Sequence, residues 1–124
     1  MSKDELRIMH QYKMAIIGPR ETILGFKALG LEPVYATDPK IAVEHLYSLK
    51  RDKVEVEGES RNKYAIVFIM EELAREVTPD DYKKLSSEPL PAIIPLPSHL
   101  GTTGYGLQKL KTIVKKAVGM DILS

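Results

Sequence analysis

The chain has 124 residues, 44% of them apolar and 28% charged, with 18 Lys and Arg against 17 Asp and Glu and no cysteine. That length holds one domain around one core, and a formal charge of +1 with both signs interspersed argues against a nucleic-acid surface. Without thiols, disulfides, thiolate metal sites and a Cys nucleophile are excluded. No apolar run reaches the roughly 20 residues of a membrane span, and the charged start Met1–Arg7 does not fit a signal peptide. The expectation is a cytoplasmic protein without direct membrane insertion, held at any membrane by a protein partner.

Residues 1–12 read as a polar extension ahead of a single α/β domain over 13–124. Met14-Ala15-Ile16-Ile17 stops at Gly18-Pro19, the pattern of a strand buried on both faces and followed by a turn. Glu21 to Leu29 suits a short helix with Ile23, Leu24, Ala28 and Leu31 near one face, and Gly30 stands at the left-handed C-cap position. Glu32–Ala36 is a short second strand, placed at a sheet edge or strand start by Pro33, which cannot donate to a ladder. Thr37-Asp38-Pro39 opens a helix carrying Ile41, Ala42, His45, Leu46 and Leu49 toward the sheet.

Around residues 52–62 the composition turns charged, and Val54 and Val56 alternate with Glu55 and Glu57. The valines suit a brief exposed strand; the density of charge suits a solvated loop, which is the expectation. Tyr64–Met70 is the most apolar run and predicts an interior strand. Glu71–Ala74 suits a helical turn, Thr78-Pro79-Asp80-Asp81 starts a helix ending near Ser87, residues 91–96 form the last strand, and 104–119 form a terminal helix with Leu107, Leu110, Val114, Ala117 and Val118 along one stripe. The sum is a small three-layer, doubly wound domain, Rossmann-like or flavodoxin-like, with four mainly parallel strands and a C-terminal helix.

The usual chemistry of that architecture does not assemble. A phosphorelay receiver needs acids at the tip of the first strand and an Asp at the end of the third, where this chain has Ile17-Gly18-Pro19-Arg20 and Ile69-Met70-Glu71. Glu71 is read as a helix-start residue. A dinucleotide fold needs Gly-x-Gly-x-x-Gly after the first strand, whereas Gly18-Pro19-Arg20-Glu21 lacks the second glycine and sets a carboxylate where phosphate would lie. The turn Gly101–Gly106 has glycines for an anion cradle but no P-loop lysine, and is read as a structural or docking turn. Ser98-His99 has no acid to orient the imidazole, and His10 and His45 have no partner at metal-ligand spacing. No cofactor, metal or catalytic residue is expected. The remaining features are surfaces for a protein contact: the apolar end Met120-Ile122-Leu123, the Tyr105 turn and the Pro33-Val34-Tyr35 edge, with the tail either docking on a partner or folding back on its own domain.

Pro91-Ala92-Ile93-Ile94-Pro95-Leu96-Pro97-Ser98-His99, Gly101-Thr102, Gly104, Gly106-Leu107, Val114–Gly119 and Asp121-Ile122-Leu123, with Met14–Gly18, Thr22 and Gly25–Gly30, resemble the F subunit of the V-type and archaeal A-type rotary ATPases, called the G subunit in some bacterial versions. Residues 1–12 and 52–62 depart from the family pattern. The resemblance implies a non-catalytic central-stalk component bound to the coiled-coil D subunit. It also implies rotation within the catalytic A and B hexamer, connection to the membrane rotor through a funnel-shaped component, and hydrolysis located elsewhere in the complex. The expected contacts are Ser98, Thr102, Tyr105, Leu110, Val114, Ile122 and Leu123. The alternative carried beside it is a receiver-like domain that binds a small molecule or phosphate without phosphorelay chemistry.

Overall fold

The computed structural model describes residues 12–97 together with Thr112, Ile113 and Lys116. The elements in chain order are β1 (Lys13–Gly18), α1 (Arg20–Ile23), a 3-10 segment (Leu24–Leu29), β2 (Glu32–Tyr35), α2 (Pro39–Arg51), β3 (Lys53–Val56), β4 (Glu59–Asn62), β5 (Tyr64–Met70), α3 (Glu71–Ala74), α4 (Pro79–Leu85) and β6 (Ala92–Leu96). Four strands form a wholly parallel sheet in the order β2-β1-β5-β6, and β3 and β4 form a separate antiparallel pair. The chain winds outward from β1 to β2, then returns to the other side of β1 to lay down β5 and β6, which is the doubly wound arrangement.

Parallel strands linked by crossover helices are covered on both faces, so interior strands are apolar at every position. All seven residues of β5 are buried, as are the last five of β1. On one face, Met14, Ile16, Ile66, Phe68 and Met70 pack with Ile23, Phe26 and Leu31; Ile113 of the C-terminal segment packs against this cluster. On the other, Ala15, Ile17, Val67 and Ile69 pack with Ala42, Leu46 and Leu49 of α2, Leu73 of α3 and Leu85 of α4. β5 holds one more residue than β1 across the step from Lys13↔Tyr64 to Met14↔Ile66. This bulge puts Tyr64 on the α2 face although it stands an even number of residues from Ile66 and Phe68.

The caps follow local chemistry. Asp38 Oδ1 accepts from the Lys40 backbone N–H at 2.8 Å ahead of Pro39, and Thr78 Oγ1 accepts from the Asp81 N–H at 3.1 Å ahead of Pro79. Gly30 closes the 3-10 segment at φ 84°, a conformation that side chains resist.

Two expectations need correction. The segment 21–29 is one α-turn followed by a 3-10 run, so residues three apart share a face. Ile23, Phe26 and Leu29 therefore meet the core, while Leu24 and Ala28, both expected there, are exposed, Leu24 by 47%. Gly25 inside the segment removes the helix propensity that would have held a 3.6-residue repeat. The charged stretch near 52–62 is a hairpin, not a loop: Lys53↔Asn62, Val54↔Arg61, Glu55↔Ser60 and Val56↔Glu59 pair in register. Its two-residue turn has Glu57 at φ 53° and Gly58 at φ 83°, the handedness that matches twisted antiparallel strands. Smaller differences are Ile41, which is 45% exposed rather than on the sheet, and the end of α4 at Leu85.

Candidate functional site

In a doubly wound sheet, ligands bind beyond the carboxyl ends of the strands, where the winding reverses. Here that point lies between Gly18, the last residue of β1, and Met70, the last of β5. It is filled by apolar side chains. A Cβ placed on Gly18 would lie 2.5 Å from Met70 Cγ and 2.7 Å from Ile23 Cγ2, so the glycine is where these two side chains close over the backbone. Met70 and Ile23 are both fully buried. α1 begins at once, with the Thr22 and Ile23 amides bonded to the Pro19 carbonyl, and Glu21 in its first turn. Glu71 occupies the first turn of α3, where a carboxylate favours the helix dipole, and pairs with Arg75 at 3.6 Å.

On the α2 side an open groove of about 630 Å³ runs between the starts of α2 and α4, lined by Asp38, Lys40, Val43, Glu44, Glu76 and Asp81 among others. Its acids are partly committed to the fold. Asp38 caps α2, and Asp81 accepts from the Tyr47 hydroxyl at 2.7 Å and from the Thr78 hydroxyl at 3.1 Å. The bond to Asp81, reinforced by desolvation and by the carboxylate charge, raises the pKa of Tyr47. Among the described residues no group of three or more His, Asp and Glu is placed to hold a metal ion, and no helix is long and apolar enough to cross a membrane.

At the edge, β2 pairs with β1 and with no other strand among the described residues. The Pro33-Val34-Tyr35 segment expected as a contact surface is this edge strand, with Tyr35 exposed and the Arg20 guanidinium 5.3 Å from its ring centroid. His45 is half-buried on α2. Ser98, His99, Thr102, Tyr105, Leu110, Val114, Ile122, Leu123, His10 and the Gly101–Gly106 turn lie outside the described residues.

Three pairings escaped the sequence reading. Arg20 over Tyr35 joins α1 to β2, Tyr64 donates to Glu32 Oε2 at 2.7 Å across β1, and Asn62 of the hairpin donates to the Leu90 carbonyl at 2.7 Å. Only the first carried a signal, an arginine just past one strand and an exposed tyrosine ending its neighbour. The Tyr64 link depends on the bulge, and the Asn62 link spans 28 residues.

These features define a class: a small, doubly wound α/β domain whose switch point is packed with apolar side chains and whose edge strand and hairpin stand outside the sheet core. The profile of the family described as ATP synthase (F/14-kDa) subunit matches residues 14–114, and the chain belongs to that family. It is 32% identical over 112 residues to the V-type ATP synthase F subunit of Fusobacterium nucleatum, covering 90% of this chain and 96% of the relative. It is 33% identical over 111 residues to the V-type ATP synthase F subunit of Clostridium botulinum strain Eklund 17B, with coverages of 90% and 97%. With the A-type ATP synthase F subunit of Thermococcus kodakarensis it shares 30% identity over 111 residues, with coverages of 89% and 97%.

Proposed function

We propose that this chain is a non-catalytic central-stalk component of a V/A-type rotary ATPase, binding the coiled-coil D subunit and helping to couple ATP turnover to proton or sodium movement. The observation that carries this reading is its relationship to V-type and A-type F subunits across 89–90% of this chain and 96–97% of those relatives. The fold supports it: a parallel sheet filled with apolar side chains on both faces is a stiff body, suited to bracing a rotating shaft. ATP hydrolysis belongs to another polypeptide of the complex, and the apolar closure over Gly18 is consistent with that division. Membership of such a complex would put the chain on the cytoplasmic side, peripheral to the membrane, inside the A and B hexamer and joined to the rotor through a funnel-shaped component.

The surface assigned to the D subunit is the segment 98–106 and the C-terminal residues, with Ser98, Thr102, Tyr105, Leu110, Val114, Ile122 and Leu123 as contacts. Co-expression with the cognate D subunit, read by size-exclusion chromatography with light scattering, is expected to give a one-to-one complex. Leu110→Asp or deletion of residues 119–124 is expected to weaken it. A folded D subunit that ignores the wild-type chain would refute the reading.

A further inference from the structure

A two-stranded ribbon is marginal in water by itself, yet β3 and β4 form one here from strands whose residues are mostly exposed. Its support comes from its base, and the base touches three neighbouring strands of the sheet. The ribbon is inserted immediately before β5, the strand that lies between β1 and β6. Toward β1, the Lys63 carbonyl accepts from the Lys13 N–H at 2.9 Å, and Arg61 lies 5.1 Å from the centroid of the Tyr12 ring. At the neck, the Lys63 N–H bonds the Asp52 carbonyl at 3.0 Å, with the Lys63 ammonium 3.8 Å from the Asp52 carboxylate. Toward β6, Asn62 uses its amide in two directions: its oxygen accepts from the Lys53 ammonium, and its nitrogen donates to the Leu90 carbonyl, two residues before β6 begins.

On the side facing β6, the described residues leave a gap. It measures about 250 Å³, is lined by Tyr12, Arg61, Asn62, Glu88, Pro89 and Leu90, and separates the ribbon from the segment leading into β6. Among the described residues β6 is an edge strand of five residues whose one ladder is to β5; its Ile93, Ile94 and Leu96 reach the two apolar clusters, and Pro95 within it has no N–H to contribute. Burial secures its carboxyl end at Leu96, while its start at Ala92 is only half-buried and borders the Leu90 contact.

We infer that the β3–β4 hairpin is a strap across the amino ends of β1, β5 and β6, and that Asn62 is the pin by which it holds edge strand β6 in register. The inference concerns the described sheet and stands without the partner assignment. One consequence rests on that assignment: Ser98 lies two residues beyond the end of β6, so freedom in β6 passes to the surface proposed for the D subunit.

The discriminating variant is Asn62→Asp. It keeps an oxygen for the Lys53 ammonium and removes the N–H that reaches the Leu90 carbonyl. Amide hydrogen exchange of the full chain, resolved by segment, is expected to show residues 92–96 exchanging roughly five- to tenfold faster than in the wild type, as befits one lost hydrogen bond. Residues 53–62 and β5 keep their wild-type protection. Lys53→Met is the converse, loosening the ribbon while Asn62 still reaches Leu90, and residues 92–96 stay protected. The strap is refuted if Asn62→Asp leaves residues 92–96 within twofold of the wild type, or if β5 accelerates equally, which would mark general destabilisation. Affinity of Asn62→Asp for the cognate D subunit is read separately. Faster exchange in β6 with unchanged affinity would support the strap and count against the surface assigned to 98–106.

Discussion

Tyr64–Met70 and Lys53–Asn62 are neighbours in the chain, separated by one residue, and both form strands, but they are stabilised in opposite ways. β5 is buried at all seven positions, with side chains alternating between two apolar clusters after its bulge. The hairpin has no buried residue and is fixed by its own ladder and, at its base, by backbone and side-chain hydrogen bonds, an ion pair and a ring contact. Burial is cooperative and tolerates polar variation elsewhere. A ribbon held by a few polar pins responds to single atoms.

The largest expected effect breaks the first kind of strand. Phe68→Ala removes a fully buried ring from the middle of β5 and should cost about 3–5 kcal/mol in urea unfolding. A loss under about 1 kcal/mol would show that the sheet core relaxes around the cavity and is less tightly filled than its burial implies.

An intermediate effect lies where the two kinds of support meet. Tyr64 is 3% exposed at the start of β5, and its hydroxyl crosses β1 to reach Glu32. Desolvation foremost, then the bond to Glu32, raises its pKa above the ordinary 10.0. The folded chain therefore keeps the phenol proton at pH values where the unfolded chain has lost it. The stability this contributes is complete below about pH 10 and falls as pH rises toward the folded-state pKa. Tyr64→Phe should lose about 1 kcal/mol at neutral pH and show a shallower alkaline decline in unfolding free energy than the wild type. Parallel alkaline curves for the two proteins would remove Tyr64 as the source.

The smallest effect sharpens the picture of the ribbon. Glu57 holds φ 53° with a full side chain, in a turn that prefers Asn followed by Gly, and Gly58 already follows. Glu57→Asn should stabilise by about 0.5 kcal/mol and slow amide exchange in residues 53–62 without changing β5. Faster exchange in the ribbon would mean that the Glu57 carboxylate contributes more than its backbone conformation costs.

Where the sequence was read correctly, the signal was local and apolar. The runs Met14–Gly18 and Tyr64–Met70 announced interior strands because a strand buried on both faces has no polar position to interrupt it. Asp38-Pro39 and Thr78-Pro79 announced helix starts because a cap is satisfied within three residues. The 3-10 path is not legible because the spacing of three between Ile23, Phe26 and Leu29 differs from the α-helical repeat by only about 0.6 residue per turn. The hairpin was missed because alternating valine and glutamate gives no apolar face strong enough to be told from a charged loop. Of the candidate site, the edge position of β2 was legible through Pro33, and the assigned contacts in 98–123 lie outside the described residues.

By itself, the sequence determined the chain order of the four sheet strands, the helix starts at Pro39 and Pro79, the interior status of β1 and β5, and membership of the ATP synthase (F/14-kDa) family, because each depends on residue types along a continuous stretch. Tertiary structure alone decided that Met70 and Ile23 close over Gly18, that a bulge turns Tyr64 toward Glu32, and that Asn62 reaches Leu90. Each of these joins residues from separate elements. Their meeting depends on strand order and register, which no local pattern of amino acids encodes.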